Sequence, residues 1–269
     1  MTPIRSSSRA IVGWLADYEP RIETSADLEA CPRALADFRD SVVERLEEMS
    51  SGWARKQLDG PRLFCEWMVE RGYLSALPRS ITRRWLQVGK DEPNPTFFAA
   101  SEIKLLLERA TDHEIKLAIL LGINCAYRES DIVSLQPSDI DFKTSEIRRT
   151  RHKTGAVQCH KLWPQTASLL AVQIERGGFE QLRYISNRLT RFIDEMIEGN
   201  AEDGAQRRTA KSLRSTAAQW VEDLTDGGAP HLVSQMLGQK DPSVRQHYRR
   251  ANYTALFEVI DHMARRLTH

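Results

Sequence analysis

Apolar positions recur at three- and four-residue intervals through most of the chain, the spacing that gathers side chains on one face of a helix. Leu35, Phe38, Val42 and Leu46 form the first such stripe. A second segment carries Leu63, Phe64, Trp67 and Met68 and stops at Gly72. Pro61 is expected at the first turn of that helix or as a kink in it. A short basic helix is expected over Thr82 to Leu86. The stretch Gly89 to Pro95, GKDEPNP, has charge, proline and glycine without apolar periodicity, which marks a linker. It divides the chain into residues 1–92 and 93–269.

Past the linker, Ile103, Leu106, Leu107 and Ala110 predict an amphipathic helix, and the more uniformly apolar run Ile115 to Cys125 a buried one. A short helix is expected over Ser130 to Leu135. The pattern then changes. Between Glu146 and Leu162 two short segments flank Lys153-Thr154-Gly155, a plausible hairpin turn with imperfect alternation around it. Helical spacing resumes at Leu182 to Ile197, Lys211 to Leu224, His231 to Leu237 and Thr254 to Leu267. No internal repeat is present. The fold class expected is mainly α with a small β-hairpin or sheet.

Composition narrows the function classes. The four cysteines, Cys31, Cys65, Cys125 and Cys159, form no CxxC pair, and the seven histidines show no HExxH or HxH spacing. A metal site, a cofactor and a disulfide framework are therefore not expected, and the cysteine usage suits a reducing, cytoplasmic setting. No apolar run is long enough for a membrane span, and Met1 to Ala10 has no signal-like hydrophobic stretch. Formal net charge is only +1. Basic residues nevertheless gather at Arg148, Arg149, Arg151, Lys153 and Lys161, at Arg207, Arg208, Lys211 and Arg214, and at Arg245, Arg249 and Arg250. A polyanion needs only one positive face; such clusters are equally what ordinary solvated faces look like.

Four separated motifs stand in order: AYRESD around Arg128, RHKTG around Lys153, AKSLRST around Arg214, and MLGQKDPSVRQHY ending at Tyr248. None is specific alone. Together they resemble the catalytic domain of the tyrosine recombinase, or phage integrase, family. That family has an arginine in a G-x-R-x-S-E-like helix start, a lysine in a hairpin turn, an H-x-x-R helix, and L-G-H followed nine residues later by tyrosine. Gln239 and Tyr248 keep the nine-residue offset, which Tyr253 breaks. FAASEIKLLLERA is similar to the family's domain opening, and WARKQLDGPRLFCEWMVERGYL to its helical core-binding domain. The resemblance covers roughly residues 50–255. It implies a core-binding-like helical domain at 1–92, a mixed α/β catalytic domain at 93–269, and double-stranded DNA as partner.

The chemistry of the family explains the residue types. Negative charge grows on the non-bridging phosphate oxygens in the transition state, and two guanidiniums can clamp them without a metal. The resemblance gives that role to Arg128 and Arg214, the nucleophile to Tyr248, the general acid for the leaving oxygen to Lys153, and an orienting role to Asp131. Two positions depart from the pattern. Lys211 stands where the first histidine is usual, and Gln239 where the second is. A lysine can still donate to phosphate; glutamine can donate a hydrogen bond but can neither give nor take a proton. His247 is no simple replacement, because helix neighbours point in different directions. The expected activity is DNA cleavage and rejoining through a 3′-phosphotyrosine. The rivals are a DNA-binding relative that no longer cuts and a helical scaffold. The amphipathic segment 254–267 is expected to pack on its own core or to be exchanged between protomers on DNA.

Overall fold

The structure, a computed structural model, describes residues 11–19, 21–31, 33–81, 85–89, 94–151, 155–179, 182–200, 202, 207–239 and 252–268. The chain divides into two compact units, Met1–Pro93 and Asn94–His269.

The first unit is helical: residues 11–16, then α1 (Ser25–Ala30), α2 (Ala34–Glu44) and α3 (Ser51–Glu70). Thr24 starts α1 with a capping box: its hydroxyl accepts from the Asp27 amide, and the Asp27 carboxylate accepts from the Thr24 amide. Ser50 starts α3 by accepting from the Trp53 amide at 3.1 Å. That early start rules out the first of the two places expected for Pro61, which lies inside a 20-residue helix. The buried face of α3 is Ala54, Leu58, Pro61, Cys65 and Met68, whereas Leu63, Phe64 and Trp67 are exposed. No helix covers Trp85 and Leu86; they stand in a turn, and residues 82–84 lie outside the described ones. The physical reason lies in the partners. The Trp85 indole donates to the Leu58 carbonyl of α3, and Arg39 donates to the carbonyls of Trp85 and Gln87, so side chains occupy groups a helix would need.

The second unit is built around α5 (His113–Asn124), which is buried almost all round. Packed on it are α4 (Ala100–Arg109), α6 (Glu129–Val133), α7 (Pro164–Glu175), α8 (Leu182–Met196), α9 (Ala210–Leu224) and α11 (Thr254–Thr268). The shorter α10 (Pro230–Met236) lies against α9 and α11. At Gly122 of α5, a Cβ would come within 2.9–3.0 Å of the Leu213 side chain, so α5 and α9 approach closely there. Helix α11 packs on the core of its own chain through Leu256, Ile260 and Met263, and the Trp163 indole donates to the Ile260 carbonyl.

Among the described residues the sheet has three antiparallel strands in the order β1 (Ile140–Asp141), β2 (Glu146–Thr150), β3 (Val157–Lys161). The hairpin register runs from Glu146 opposite Lys161 to Thr150 opposite Val157. Past its end, the Arg151 amide donates to the Ala156 carbonyl and the Gly155 amide to the Arg151 carbonyl. One side of the hairpin is buried and mixed in character: Ile147 and Arg149 from β2, Gln158 and His160 from β3. Asn124, at the end of α5, fastens β3 by donating to the Lys161 carbonyl and accepting from the Trp163 amide. No helix among the described residues is long and apolar enough to cross a membrane.

Candidate active site

The site forms where two helix ends meet the buried side of the hairpin. After α5 the backbone reverses at Ala126, whose φ of 50° is left-handed, and the Tyr127 amide reaches back to the Leu121 carbonyl. Ala126 occupies the glycine position of the G-x-R pattern. The reversal delivers Arg128 to the start of α6, where its side chain is exposed. The Asp131 carboxylate caps that helix by accepting from the Arg128 amide at 3.1 Å.

The second helix end is α10. Its C-terminus is a Schellman motif: the Gly238 amide donates to the Gln235 carbonyl and the Gln239 amide to the Ser234 carbonyl. Gly238 sits at φ 55°, and a Cβ there would lie 2.5 Å from the Gln158 Cγ. Two constraints, backbone sign and close approach, therefore fall on the glycine of L-G-Q.

Arg214, buried in α9, ties the two ends together. Its Nη1 donates to the Ala126 carbonyl and its Nη2 to the Leu237 carbonyl, the latter at 2.7 Å. Burial, with the like charges of Arg128 and Arg151, pulls its pKa down to about 10, and Asp131 opposes them. It remains a cation at neutral pH.

Asp131 is the carboxylate at the centre of the arginines. Both of its oxygens are bound by Arg151, Nη2 at 3.1 Å to each and Nε at 3.3 Å to Oδ1. The Asp131 carbonyl accepts from Arg149 Nη1 at 2.6 Å, and Arg149 also donates to the Ser134 hydroxyl. The Arg149 guanidinium lies 5.9 Å from the Tyr127 ring centroid, within cation–π range.

Beneath this layer lies His160. Its Nε2 pairs with the Met236 carbonyl at 3.0 Å, and the Tyr127 ring meets it edge-on at 5.3 Å. Burial pushes its pKa down to about 4, so it is neutral at physiological pH and supplies no cation in place of the two missing histidines. Its Nδ1, the Tyr127 hydroxyl, Arg149 Nε and the Gln158 amide find no hydrogen-bond partner among the described residues.

Of the residues singled out in the sequence, Arg128, Asp131 and Arg214 converge. Lys211 is exposed at the first turn of α9, three residues before Arg214. Gln239 is exposed directly after the α10 cap. Lys153 and Tyr248 lie outside the described residues. Tyr253 is buried, and its hydroxyl donates to the Val157 carbonyl at 3.2 Å. The motif pattern missed Arg149, Gln158 and His160. The signal that finds them is period two: positions 147, 149, 158 and 160 share one side of the hairpin, and three of the four are polar.

This fold, with arginines from two helix starts and a hairpin facing one another, is that of the tyrosine recombinases. Comparison with solved structures finds the same fold in two integrases, among others. A DNA-bound lambda integrase dimer superposes with a TM-score of 0.64 at 16% identity, covering 92% of this chain and 87% of that one. The integrase of transposon Tn1549, in complex with transposon right-end DNA, superposes with a TM-score of 0.58 at 12% identity, covering 100% of this chain and 95% of that one. In sequence, the chain is 29% identical over 93 residues to a XerC-like tyrosine recombinase of Caldanaerobacter subterraneus subsp. tengcongensis. That match spans 34% of this chain and 24% of the relative's own length. No family model matches the chain. The chain is thus similar to the tyrosine recombinases in fold and, over those 93 residues, in sequence.

Proposed function

We propose that this protein is a site-specific DNA recombinase or integrase that cleaves and rejoins DNA through a 3′-phosphotyrosine at Tyr248. The observation that carries the reading is the excess of guanidinium over carboxylate. Among the described residues Asp131 is the one carboxylate that meets a guanidinium of this group, that of Arg151, while Arg149 and Arg214 donate to backbone carbonyls and the Arg128 side chain is exposed. A partly buried group of like charges is costly unless an anion joins it. The phosphate of a DNA backbone supplies that anion.

The Tyr248 phenol gives up its proton to solvent as its oxygen attacks phosphorus, the bond to the 5′-oxygen breaks, and the leaving alkoxide takes a proton, for which Lys153 is the donor. Charge growing on the non-bridging oxygens is met by Arg128 and Arg214, with a further hydrogen bond each from Lys211 and Gln239. The reverse attack by a 5′-hydroxyl restores the phosphodiester without an energy cofactor. A tyrosine with a pKa of about 10 is mostly un-ionised at neutral pH, so the neighbouring cations also favour its phenolate. The same proposal includes double-stranded DNA as partner, a cytoplasmic setting and self-association on DNA. In such an assembly α11 leaves the surface it covers and takes the equivalent place on a neighbour.

A second reading, a DNA-binding relative that no longer cuts, is favoured by Gln239, which offers the phosphate no charge and no proton. Nicked duplexes separate the two. The recombinase reading expects a denaturation-resistant protein–DNA adduct that forms in the presence of chelator and is absent from Tyr248→Phe. Salt-sensitive binding without any adduct from the unmodified protein would instead establish the non-cutting relative.

A further inference from the structure

The family pattern accounts for Arg128 and Arg214 but assigns nothing to Arg151. This residue follows β2, and its side chain is only 12% exposed. Its Nε and Nη2 bind both oxygens of Asp131, and Asp131 Oδ2 also accepts from the Arg128 amide. One carboxylate thus pins the Arg151 guanidinium beside the backbone of Arg128. Nη1 of Arg151 has no partner among the described residues.

We infer that Arg151 is a third guanidinium of the phosphate pocket and supplies the positive charge that Gln239 does not. The inference rests on the proposed function, since it concerns the same phosphate. Its alternative is an ion pair that holds the hairpin to α6 and does nothing else. An arginine cancelled by its carboxylate would be silent at a neighbouring cation. Arg151 is not: together with Arg128 it lowers the pKa of Arg214, while Asp131 acts in the opposite direction. The hairpin geometry fixes this charge before DNA arrives, so no reorganisation is needed as the transition state forms.

The test removes charge from each side in turn. Adduct formation is measured on a nicked duplex with an ordinary scissile phosphodiester and on one with a methylphosphonate at that position, which is neutral. On the phosphodiester, Arg151→Gln is expected to slow cleavage by about 10- to 100-fold. On the methylphosphonate the same variant is expected within about threefold of the unmodified protein, because the charge it answers is gone. Arg151→Lys, which keeps the cation, is expected to recover most of the loss. An equal loss on both substrates, or a lysine variant as slow as the glutamine one, overturns the inference and leaves a structural ion pair. If the unmodified protein forms no adduct on either substrate, the proposed function itself fails; the two failures are distinct.

Discussion

His160 pairs with the Met236 carbonyl at the floor of the site and is fully buried there. Its pKa in the fold, about 4, lies below the ordinary 6.5, with burial as the main cause. The unfolded chain therefore takes up this proton first, and acid favours unfolding. The stability that neutral His160 confers is fully present above pH 6.5 and is lost as pH falls through about 4, a change of about 3 kcal/mol. Urea denaturation from pH 7 to pH 4 checks it. The advantage of the unmodified protein over His160→Gln should shrink steadily across that range, and a constant difference would rule the effect out. Residues of this kind were hidden in the sequence. Arg128 and Arg214 stand in motifs that bracket helix starts, a pattern a sequence can show. His160 and Gln158 carried no motif, and their polarity spoiled the alternation that reveals a strand.

The elements themselves were mostly legible, since α2, α4, α5, α8, α9, α10 and α11 all follow stripes of apolar residues. Residues 11–16 and α1 carried no such stripe, and two further elements escaped for separate causes. Helix α7 went unread because few of its side chains are buried, Leu170 chief among them; its one clear mark is Pro164 at the first turn. Strand β1 is two residues long and has no period to detect. How elements meet is not a property of either pattern alone. Gly122 shows this: in an isolated helix alanine would be preferred by about 1 kcal/mol. In the fold, its Cβ would press on Cδ1 and Cβ of Leu213. Gly122→Ala is expected to destabilise the protein by about 1–2 kcal/mol, overpacking outweighing propensity. Leu213→Ala in the same chain should recover part of that loss, giving a non-additive double-mutant cycle. Strict additivity would mean that the two helices do not collide there.

For the molecule as a whole, net charge was the least informative number. A value of +1 conceals the arginine group around Asp131, and DNA affinity depends on the charges that meet phosphates rather than on the sum. The expected outcome is a linear fall of log affinity with log salt, and Arg128→Ala should make the slope shallower by about 0.9. An unchanged slope in fluorescence anisotropy titrations would remove Arg128 from the phosphate contacts. The loss of apolar periodicity at Gly89 to Pro95 falls where the two compact units divide, and Val88 just before it still belongs to the first core.

Arg214 serves as a keystone for two loops as well as a charge, because its donors hold the carbonyls of Ala126 and Leu237. A chain of this fold that does not cut DNA would keep it for architecture alone. Drift after loss of chemistry should appear first at Lys211, which is exposed to solvent one helical turn away. The two loops need the keystone whether or not the site above them cuts DNA.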